Sequence, residues 1–351
     1  MADGLGFFRR AFIGSVAAIG TSALTPRAGS AQSSVAPAAR RGLIDFHHHF
    51  DAPPSVSGRG GGANQRWSRE GTVEEMDRAG VGVGMANLTS AGSAPPDVER
   101  GRKWARDLNE FGAKVVADHR GRFGLLAALP MMDVDGALKE IEYALDTLKA
   151  DGFGIGTSYD GLWLGDAKFK PIWNELDRRN GIVYVHPNDD RCCTTSTMTY
   201  EANGISSAWL EWPVNTARTI MSVMVNGITR DYQGVRFIFS HGGGVAPLLI
   251  HRISQFEGWT GMGPDRLRTY FPNGIEAEFR QLYFEGAQAF SPVNLDALMK
   301  LVPASHILFG TDYNRFPLDH SARLLAGLTL PADVRRGIEW SNAVALFPRL
   351  A

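Results

Sequence analysis

The chain has 351 residues, of which 44% are hydrophobic and 21% charged, and its formal net charge is −1 at pH 7. This composition is typical of a globular protein and excludes a disordered chain, a collagen or a small disulfide-stapled scaffold. The 36 Lys and Arg residues are balanced by 37 Asp and Glu residues, so no basic surplus favours a nucleic-acid partner. We therefore expect a small-molecule partner. The only two cysteines, Cys192 and Cys193, are adjacent, which predicts that no disulfide framework exists.

The amino terminus has the pattern of an export signal. Arg9 and Arg10 precede an apolar run from Ile13 to Leu24, and small residues follow at positions 28–31. This pattern is typical of a twin-arginine signal, which directs a protein to the bacterial periplasm. The run is shorter than the ~20 apolar residues that cross a bilayer, so we expect no membrane partner.

The domain organisation follows from this reading. Residues 1–31 are interpreted as the twin-arginine signal peptide, with an unstructured tail as the alternative. Residues 32–41 are rich in Ser, Ala, Pro and Arg and are interpreted as a linker. Residues 42–351 then form a single domain.

Within this domain, short apolar runs alternate with helical patterns. The runs predict eight strands: Leu43–His47, Val81–Leu88, Phe123–Leu129, Gly152–Thr157, Ile182–His186, Val235–His241, Leu282–Glu285 and Ile307–Gly310. Apolar residues recur at helical spacing from Trp104 to Val115, and from Leu138 to Leu148 behind the candidate cap Asp135. Eight strands with helices between them in 310 residues favour a (β/α)8 TIM barrel over an open doubly wound sheet.

In such a barrel, chemistry is carried by the carboxyl ends of the strands. Four predicted strands end in imidazole or carboxylate groups: strand 1 at Asp45-Phe46-His47-His48-His49, strand 5 at His186, strand 6 at His241 and strand 8 at Asp312. His47 and His49 lie two positions apart in an extended segment, so they point to one face, whereas His48 points to the other.

These residues predict one divalent metal site. Three imidazoles, from His47, His49 and His186, and the carboxylate of Asp312 would give four ligands and leave a position for water or substrate. Taken alone, His186 is readily explained by packing and Asp312 by helix capping. Four such features on matching strand ends favour a metal, with Zn²⁺ fitting best and Mn²⁺ as the alternative.

The same residues carry a family resemblance. From about Leu43 to Phe347 the chain resembles the amidohydrolase superfamily. The runs at 45–50, 210–218, 240–244 and 309–313 are most similar to the branch that contains aminocarboxymuconate-semialdehyde, γ-resorcylate and 6-methylsalicylate decarboxylases. The resemblance implies that His47, His49, His186 and Asp312 hold one metal and that His241 is the acid or base beside it.

One absence supports a single ion. Dinuclear members of the superfamily often bridge two metals with a carboxylated lysine at the end of strand 4. Here the segment 154–160 contains no lysine, and Asp160 is the alternative bridging ligand.

Three further residues are candidates for substrate binding. Arg252 lies eleven positions after His241, where the decarboxylase branch carries an arginine that reaches the neighbouring subunit's site, which implies a homodimer. A solvated helix arginine is the alternative. Arg66, just before Trp67, resembles an arginine that precedes a tryptophan in the family, which implies that it holds the other end of the substrate. Trp212 would line a pocket for a planar ring, with anchoring of its loop to the barrel as the alternative.

Three functions remain open at this point. The resemblance favours metal-dependent, non-oxidative decarboxylation of an aromatic or unsaturated carboxylic acid. The alternatives are a hydrolase of an ester, lactone or amide, with Asp312 or His241 as base, and a periplasmic binding protein without catalysis. An extra imidazole such as His241 beside an open coordination position favours proton transfer over mere binding. The segment 187–193 and Glu285, where relatives often have Asp, depart from the branch and leave the substrate open.

Overall fold

The computed structural model describes residues 42–53, 56, 68–87, 94–189, 206–259 and 264–351. The predicted signal peptide and linker, together with Arg66, Cys192 and Cys193, lie outside these residues. None of the described helices is both long enough and apolar enough to span a bilayer.

Eight parallel strands form one sheet in sequential order. They are β1 (Leu43–His49), β2 (Val81–Asn87), β3 (Phe123–Ala127), β4 (Gly152–Gly156), β5 (Ile182–His186), β6 (Arg236–Phe239), β7 (Tyr283–Glu285) and β8 (Ile307–Leu308). The two edges meet, because the Phe46 N–H donates to the Phe309 carbonyl at 3.0 Å and the His49 N–H donates to the Tyr313 carbonyl at 2.6 Å. The predicted (β/α)8 barrel is confirmed.

A helix follows each strand. The eight are α1 (Arg69–Ala79), α2 (Val98–Asp118), α3 (Val134–Asp146), α4 (Lys170–Arg178), α5 (Glu211–Val225), α6 (Ala246–Ser254), α7 (Pro292–Leu301) and α8 (Leu318–Ala326). The predicted cap of α3 is wrong, because Asp133 rather than Asp135 accepts the Gly136 N–H. Asp135 instead lies in the first turn, where a negative charge favours the helix dipole.

Alternation along β5 shows how the barrel is packed. Val183 and Val185 belong to the core cluster that includes the α4 side chains Ile172 and Trp173, so they face the helices. Ile182 and Tyr184 belong to a second cluster, made of residues from other strands and the carboxyl-terminal Phe347 and Leu350. A strand places every second side chain on the same face. His186 therefore continues the face of Ile182 and Tyr184, at the carboxyl end of the strand.

The strand ends differ from prediction where the site lies. β1 continues through the histidine run to His49, whereas β6 ends at Phe239 and β8 at Leu308, each two residues before its predicted end, so that both strands stop short of His241 and Asp312. Those two residues have φ values of +54° and +62°, a left-handed conformation that turns the chain out of the sheet. β1 also contains a bulge, because Asp45 and His48 are three residues apart but pair with Gly84 and Ala86, which are two apart.

Candidate metal and catalytic site

β1 and the chain after β8 supply three converging donor atoms. His47 Nε2 lies 3.2 Å from His49 Nε2. Asp312 Oδ1 lies 3.2 Å from His47 Nε2 and 3.0 Å from His49 Nε2. The prediction that His47 and His49 point to one face is therefore confirmed. Asp312, in the segment that follows β8, reaches the same point from the other side of the line where β1 and β8 meet, which we call the β1–β8 seam.

β5 supplies the fourth donor. The Nδ1 of His186 lies 2.7 Å from the Pro187 carbonyl oxygen, so this nitrogen carries the proton and Nε2 is left as a lone-pair donor. The His186 ring centroid lies 5.0 Å from that of His47 and 4.8 Å from that of His49. One ligand atom from each of His47, His49, His186 and Asp312 lies within 4.8 Å of the others.

These distances fit a divalent ion. Ligand atoms that are about 2.0–2.2 Å from one metal lie roughly 3 Å from each other. The three closest donors are separated by 3.0 to 3.2 Å. Electron-rich atoms at that spacing need a shared cation or a proton between them, and three imidazoles with one carboxylate are a metal-binding set. The residues present thus fit the predicted metal.

The electrostatics of the site favour positive charge. Burial opposes the charged form of His47, but the negative charges of Asp312 and Glu285 outweigh it and raise the pKa of His47 to about 10. Burial also opposes ionisation of Asp312, yet the charge on His47 and the hydrogen bonds from the histidines hold the pKa of this carboxyl well below its usual range. A cation is therefore stabilised where these side chains meet.

The imidazoles of the other two histidine ligands, His49 and His186, are held neutral. Burial lowers the pKa of His49, and the hydrogen bond to Asp312 offsets only part of this effect. Burial lowers the pKa of His186 well below its usual value, and the neighbouring His49 and His47 lower it further. Neutral imidazoles are the form that binds metals.

His241 lies beside the four donors but outside their group. It begins a short 3-10 turn, His241–Gly243, directly after β6. Its Nε2 is 3.6 Å from Asp312 Oδ2, and its ring centroid is 4.8 Å from that of His47. Its side chain is 17% exposed, so it has access to a bound small molecule as well as to the metal ligands.

Asp45 joins β1 to the segment that follows β8, beneath the ligands. Its carboxylate accepts the Thr311 hydroxyl at 2.6 Å, the Thr311 N–H at 2.9 Å and the His48 Nδ1–H at 2.9 Å. The bulge in β1 is what allows Asp45 to meet His48, three positions along the strand. Sequence reasoning quoted Asp45 in its motif without a role, and the structure shows that it holds the ligand-bearing seam together.

Glu285, at the end of β7, is a second organising carboxylate that sequence reasoning noted only as a departure. It is fully buried and contacts both His47 and His241. The signal that pointed to it was an acidic residue at the carboxyl end of an otherwise apolar strand.

The predicted substrate-binding residues differ in position. Trp212 lies beside the site, with its ring centroid 6.4 Å from that of His186 and its Nε1–H donating to Asp189 Oδ1 at 2.7 Å. Arg252 is exposed on α6, with its guanidinium carbon 5.9 Å from the Phe256 ring centroid. The structure does not bring Arg252 into this chain's own ligand group.

Comparison with known proteins identifies the class. The family model for amidohydrolases matches residues 44–349, so the chain belongs to the amidohydrolase family. It is 34% identical over 325 residues to the 6-methylsalicylic acid decarboxylase of Penicillium expansum, covering 88% of this chain and 96% of that protein. It is 27% identical over 293 residues to a γ-resorcylate decarboxylase of Polaromonas sp., covering 78% of this chain and 86% of that protein. The predicted resemblance to the decarboxylase branch is confirmed.

A solved structure shows the same fold. The crystal structure of a dihydroxybenzoic acid decarboxylase from Polaromonas sp., with bound manganese and the inhibitor 2-nitroresorcinol, superposes with a TM-score of 0.75. The match covers 88% of this chain and 97% of that chain at 24% sequence identity. The (β/α)8 architecture is thus shared from one end of that protein to the other.

Proposed function

We propose that this protein is a metal-dependent decarboxylase that removes the carboxylate of an aromatic hydroxy acid as carbon dioxide, without oxidation. The observation that carries this proposal is the convergence of four metal-ligand atoms within 4.8 Å of one another, with His241 beside them and outside the ligand group. The similar proteins named as decarboxylases support it. A hydrolase would use the same side chains, but nothing observed favours it over decarboxylation.

His47, His49, His186 and Asp312 would hold one divalent ion. When bound, the ion supplies a Lewis acid that stabilises negative charge on a substrate oxygen. His47 and His186 present Nε2 toward it, because their Nδ1 atoms are occupied by Glu285 and the Pro187 carbonyl. Asp312 neutralises part of the charge and fixes the side of the site that faces β1.

His241 would move the proton. As an imidazolium it donates its proton to the ring carbon that carries the carboxylate. The carbon–carbon bond then breaks, its electron pair restores the aromatic ring, and carbon dioxide leaves. Asp312, with Oδ2 at 3.6 Å from His241 Nε2, pairs with the imidazolium before transfer. The net reaction consumes one proton and needs no oxidant.

We propose an ortho-hydroxybenzoate as the substrate class, with 6-methylsalicylate as its leading member. The names of the similar decarboxylases share a carboxylate next to a ring hydroxyl. Trp212 offers an indole beside His186, where it would stack on such a ring. Arg66 remains the candidate for the far end of the substrate.

The resident metal is proposed to be Zn²⁺. A ligand set of three imidazoles and one carboxylate suits a borderline ion. The similar dihydroxybenzoic acid decarboxylase has bound manganese, which makes Mn²⁺ the competing assignment. Elemental analysis of protein purified without added metal distinguishes them, and a manganese content of one per chain with no zinc would overturn the zinc proposal.

We also propose a homodimer in which Arg252 reaches the partner's site. Its exposure on α6, away from its own chain's ligand group, is compatible with that role. Mixing His241→Ala chains with Arg252→Ala chains should restore part of the activity, because one of the mixed sites then has both residues. A monomer in light scattering would contradict this.

The localisation is proposed to be periplasmic, by twin-arginine export of the folded, metal-loaded protein. Replacing Arg9 and Arg10 by Lys should leave the precursor in the cytoplasm. Unchanged export of that variant would contradict the proposal.

The function itself is tested with a panel of acids and esters. Metal-loaded protein is incubated with 6-methylsalicylate, 2,6-dihydroxybenzoate, salicylate, a muconate-type acid, and aryl esters and lactones. We expect carbon dioxide and the corresponding phenol from at least one ortho-hydroxybenzoate. Rapid ester or lactone cleavage with no carbon dioxide from any acid would replace the decarboxylase with the hydrolase.

A further inference from the structure

Both carboxylate oxygens of Glu285 take part in hydrogen bonds. Its Oε1 accepts the His47 Nδ1–H at 2.7 Å and the backbone N–H of His241 at 2.9 Å. The Tyr184 hydroxyl lies 3.3 Å from the same oxygen. Its Oε2 accepts the Ala287 N–H at 2.6 Å. A single buried carboxylate is therefore hydrogen-bonded to a predicted metal ligand and to the proposed proton donor.

We propose that Glu285 is a positioning residue that sets both His47 and His241 through one oxygen atom. The His241 part of this inference rests on the proposed function, whereas the His47 part rests on the metal site alone. Glu285 belongs to neither the ligand group nor the proton-transfer step. It acts through the two imidazoles.

Glu285 determines which ring nitrogen of His47 carries the proton. A histidine has one nitrogen for the metal and one for a supporting acceptor, and the supporting contact fixes which nitrogen is which. With Nδ1–H directed at Glu285, Nε2 faces His49 Nε2 and Asp312 Oδ1. Loss of that acceptor removes the hydrogen bond that holds Nε2 toward the other donors.

Glu285 acts on His241 through a hydrogen bond to its backbone N–H. His241 has a φ of +54°, a conformation that a non-glycine residue keeps only when its surroundings fix it. The three glycines that follow also have positive φ, a conformation that glycine adopts without steric cost. The hydrogen bond from the His241 N–H to Glu285 anchors the first residue of this turn to β7.

Gly310, two residues after the end of β8, provides independent support. A Cβ atom at this position would overlap Oε2 of Glu285 and come within 3.1 Å of the His47 Cβ. The absence of a side chain at Gly310 thus makes the space in which the glutamate carboxylate meets His47. An aspartate at position 285 would be one methylene shorter and would fill this space less completely.

The test compares Glu285→Gln with a matched control. Gln keeps the size of the side chain but loses the charge. The control is Glu278→Gln, another buried glutamate that accepts a hydrogen bond from the Thr229 hydroxyl at 2.7 Å and lies outside the site. Metal affinity is measured by chelator competition with Zn²⁺, and the ligand field by the visible spectrum after loading with Co²⁺.

We expect Glu285→Gln to bind Zn²⁺ about 10- to 100-fold more weakly, the range found when the carboxylate behind a metal-bound histidine is lost. Its Co²⁺ spectrum should differ from wild type, and Glu285→Asp should recover part of the affinity. Glu278→Gln should match wild type in both measurements. Wild-type affinity and spectrum in Glu285→Gln, or an equal loss in Glu278→Gln, would overturn the proposal.

A measurement on the unaltered protein keeps the inference testable if Glu285→Gln does not fold. Nitrogen-15 NMR of the Zn²⁺-loaded wild type should show His47 protonated at Nδ1, and an unprotonated Nδ1 would overturn the proposal. Once an acid that the wild type decarboxylates is known, folded Glu285→Gln can be assayed with saturating metal. It should have a lower kcat than wild type, with little change in KM. The metal and NMR measurements need no substrate, so they remain decisive even if the proposed reaction fails.

Discussion

The two sides of the site are built differently. Where β1 meets β8, His47 and His49 are almost fully buried, and Asp45 and Thr311 beneath them are completely buried. Where β5 and β6 end, His186 and His241 are only partly buried, and the Trp212 ring lies beside that of His186. The seam side is cross-linked by charged hydrogen bonds, whereas the β5–β6 side is open.

This contrast indicates different functions for the β1–β8 side and the β5–β6 side of the site. A metal site needs ligands that keep their positions before the ion arrives, and buried carboxylates that accept several hydrogen bonds provide this. A catalytic imidazole needs access to a substrate that enters and leaves. We therefore expect changes at the β1–β8 seam to affect metal binding and stability. On the open side, changes at the ligand His186 should affect metal binding, and changes at His241 should affect turnover.

The largest effect should come from removing a seam ligand. In His47→Ala, the remaining donors lose the imidazole whose Nε2 lies 3.2 Å from His49 Nε2 and 3.2 Å from Asp312 Oδ1. We expect metal content to fall from one per chain to background, with carbon dioxide release lost as well. Elemental analysis after gel filtration measures this, with His119→Ala as the control because His119 lies at the end of α2. Full metal occupancy in His47→Ala would refute the ligand assignment.

On the open side, His241→Ala should separate metal binding from catalysis. Since His241 lies outside the ligand group, the variant should keep one metal per chain. Loss of a general acid lowers kcat by ~10²- to 10⁴-fold, and steady-state kinetics measure the loss. Wild-type turnover in this variant would remove His241 from the mechanism, and loss of the metal would make it a ligand.

A smaller effect is expected from pH. In the metal-free protein the pKa of His47 is about 10, so the ion must displace a proton from this ring at neutral pH. The pKa values of His49, His186 and Asp312 are lowered, so these groups add little to the dependence above pH 6.5. Above pH 6.5, metal affinity should therefore rise about tenfold per pH unit, and roughly a hundredfold from pH 6.5 to pH 8.5. Chelator competition at the two pH values measures this, and equal affinities would contradict it.

The smallest effect concerns the support beneath the ligands. Thr311→Val keeps the shape of the side chain but removes the hydroxyl that donates to Asp45 at 2.6 Å. Hydrogen bonds to charged groups contribute about 1.5–3 kcal/mol, so the free energy of unfolding should fall by about that amount. Urea unfolding measures the change. The exposed Thr269, whose hydroxyl bonds to the Asp265 carbonyl, provides the control Thr269→Val, with an expected change within about 0.5 kcal/mol. Equal changes in the two variants would show that the seam has no special role.

The same contrast marks what the sequence could predict. The strands are apolar runs with recognisable ends, so the barrel and the positions of His47, His49, His186 and Asp312 could be read from local pattern. The supporting contacts could not. Asp45 and Thr311 are 266 positions apart, and His47 and Glu285 are 238 apart.

Local geometry explains the remaining differences. The bulge that turns His48 toward Asp45 depends on how β1 pairs with β2, and no residue in β1 signals it. β6 and β8 end at Phe239 and Leu308, two residues earlier than their apolar pattern indicates, and His241 and Asp312 beyond them have positive φ values. Such conformations are fixed by the surrounding structure rather than by local preference.

The central claim is that one metal ion, held mainly by the buried seam, supports decarboxylation of an ortho-hydroxybenzoate. The most direct test is to titrate Zn²⁺ or Mn²⁺ into metal-free protein with 6-methylsalicylate present and to measure carbon dioxide and 3-methylphenol. We expect both products to appear in equal amounts, at a rate that rises linearly and levels off at one equivalent of metal per chain. No carbon dioxide at any metal loading, or a plateau at two equivalents, would contradict the account.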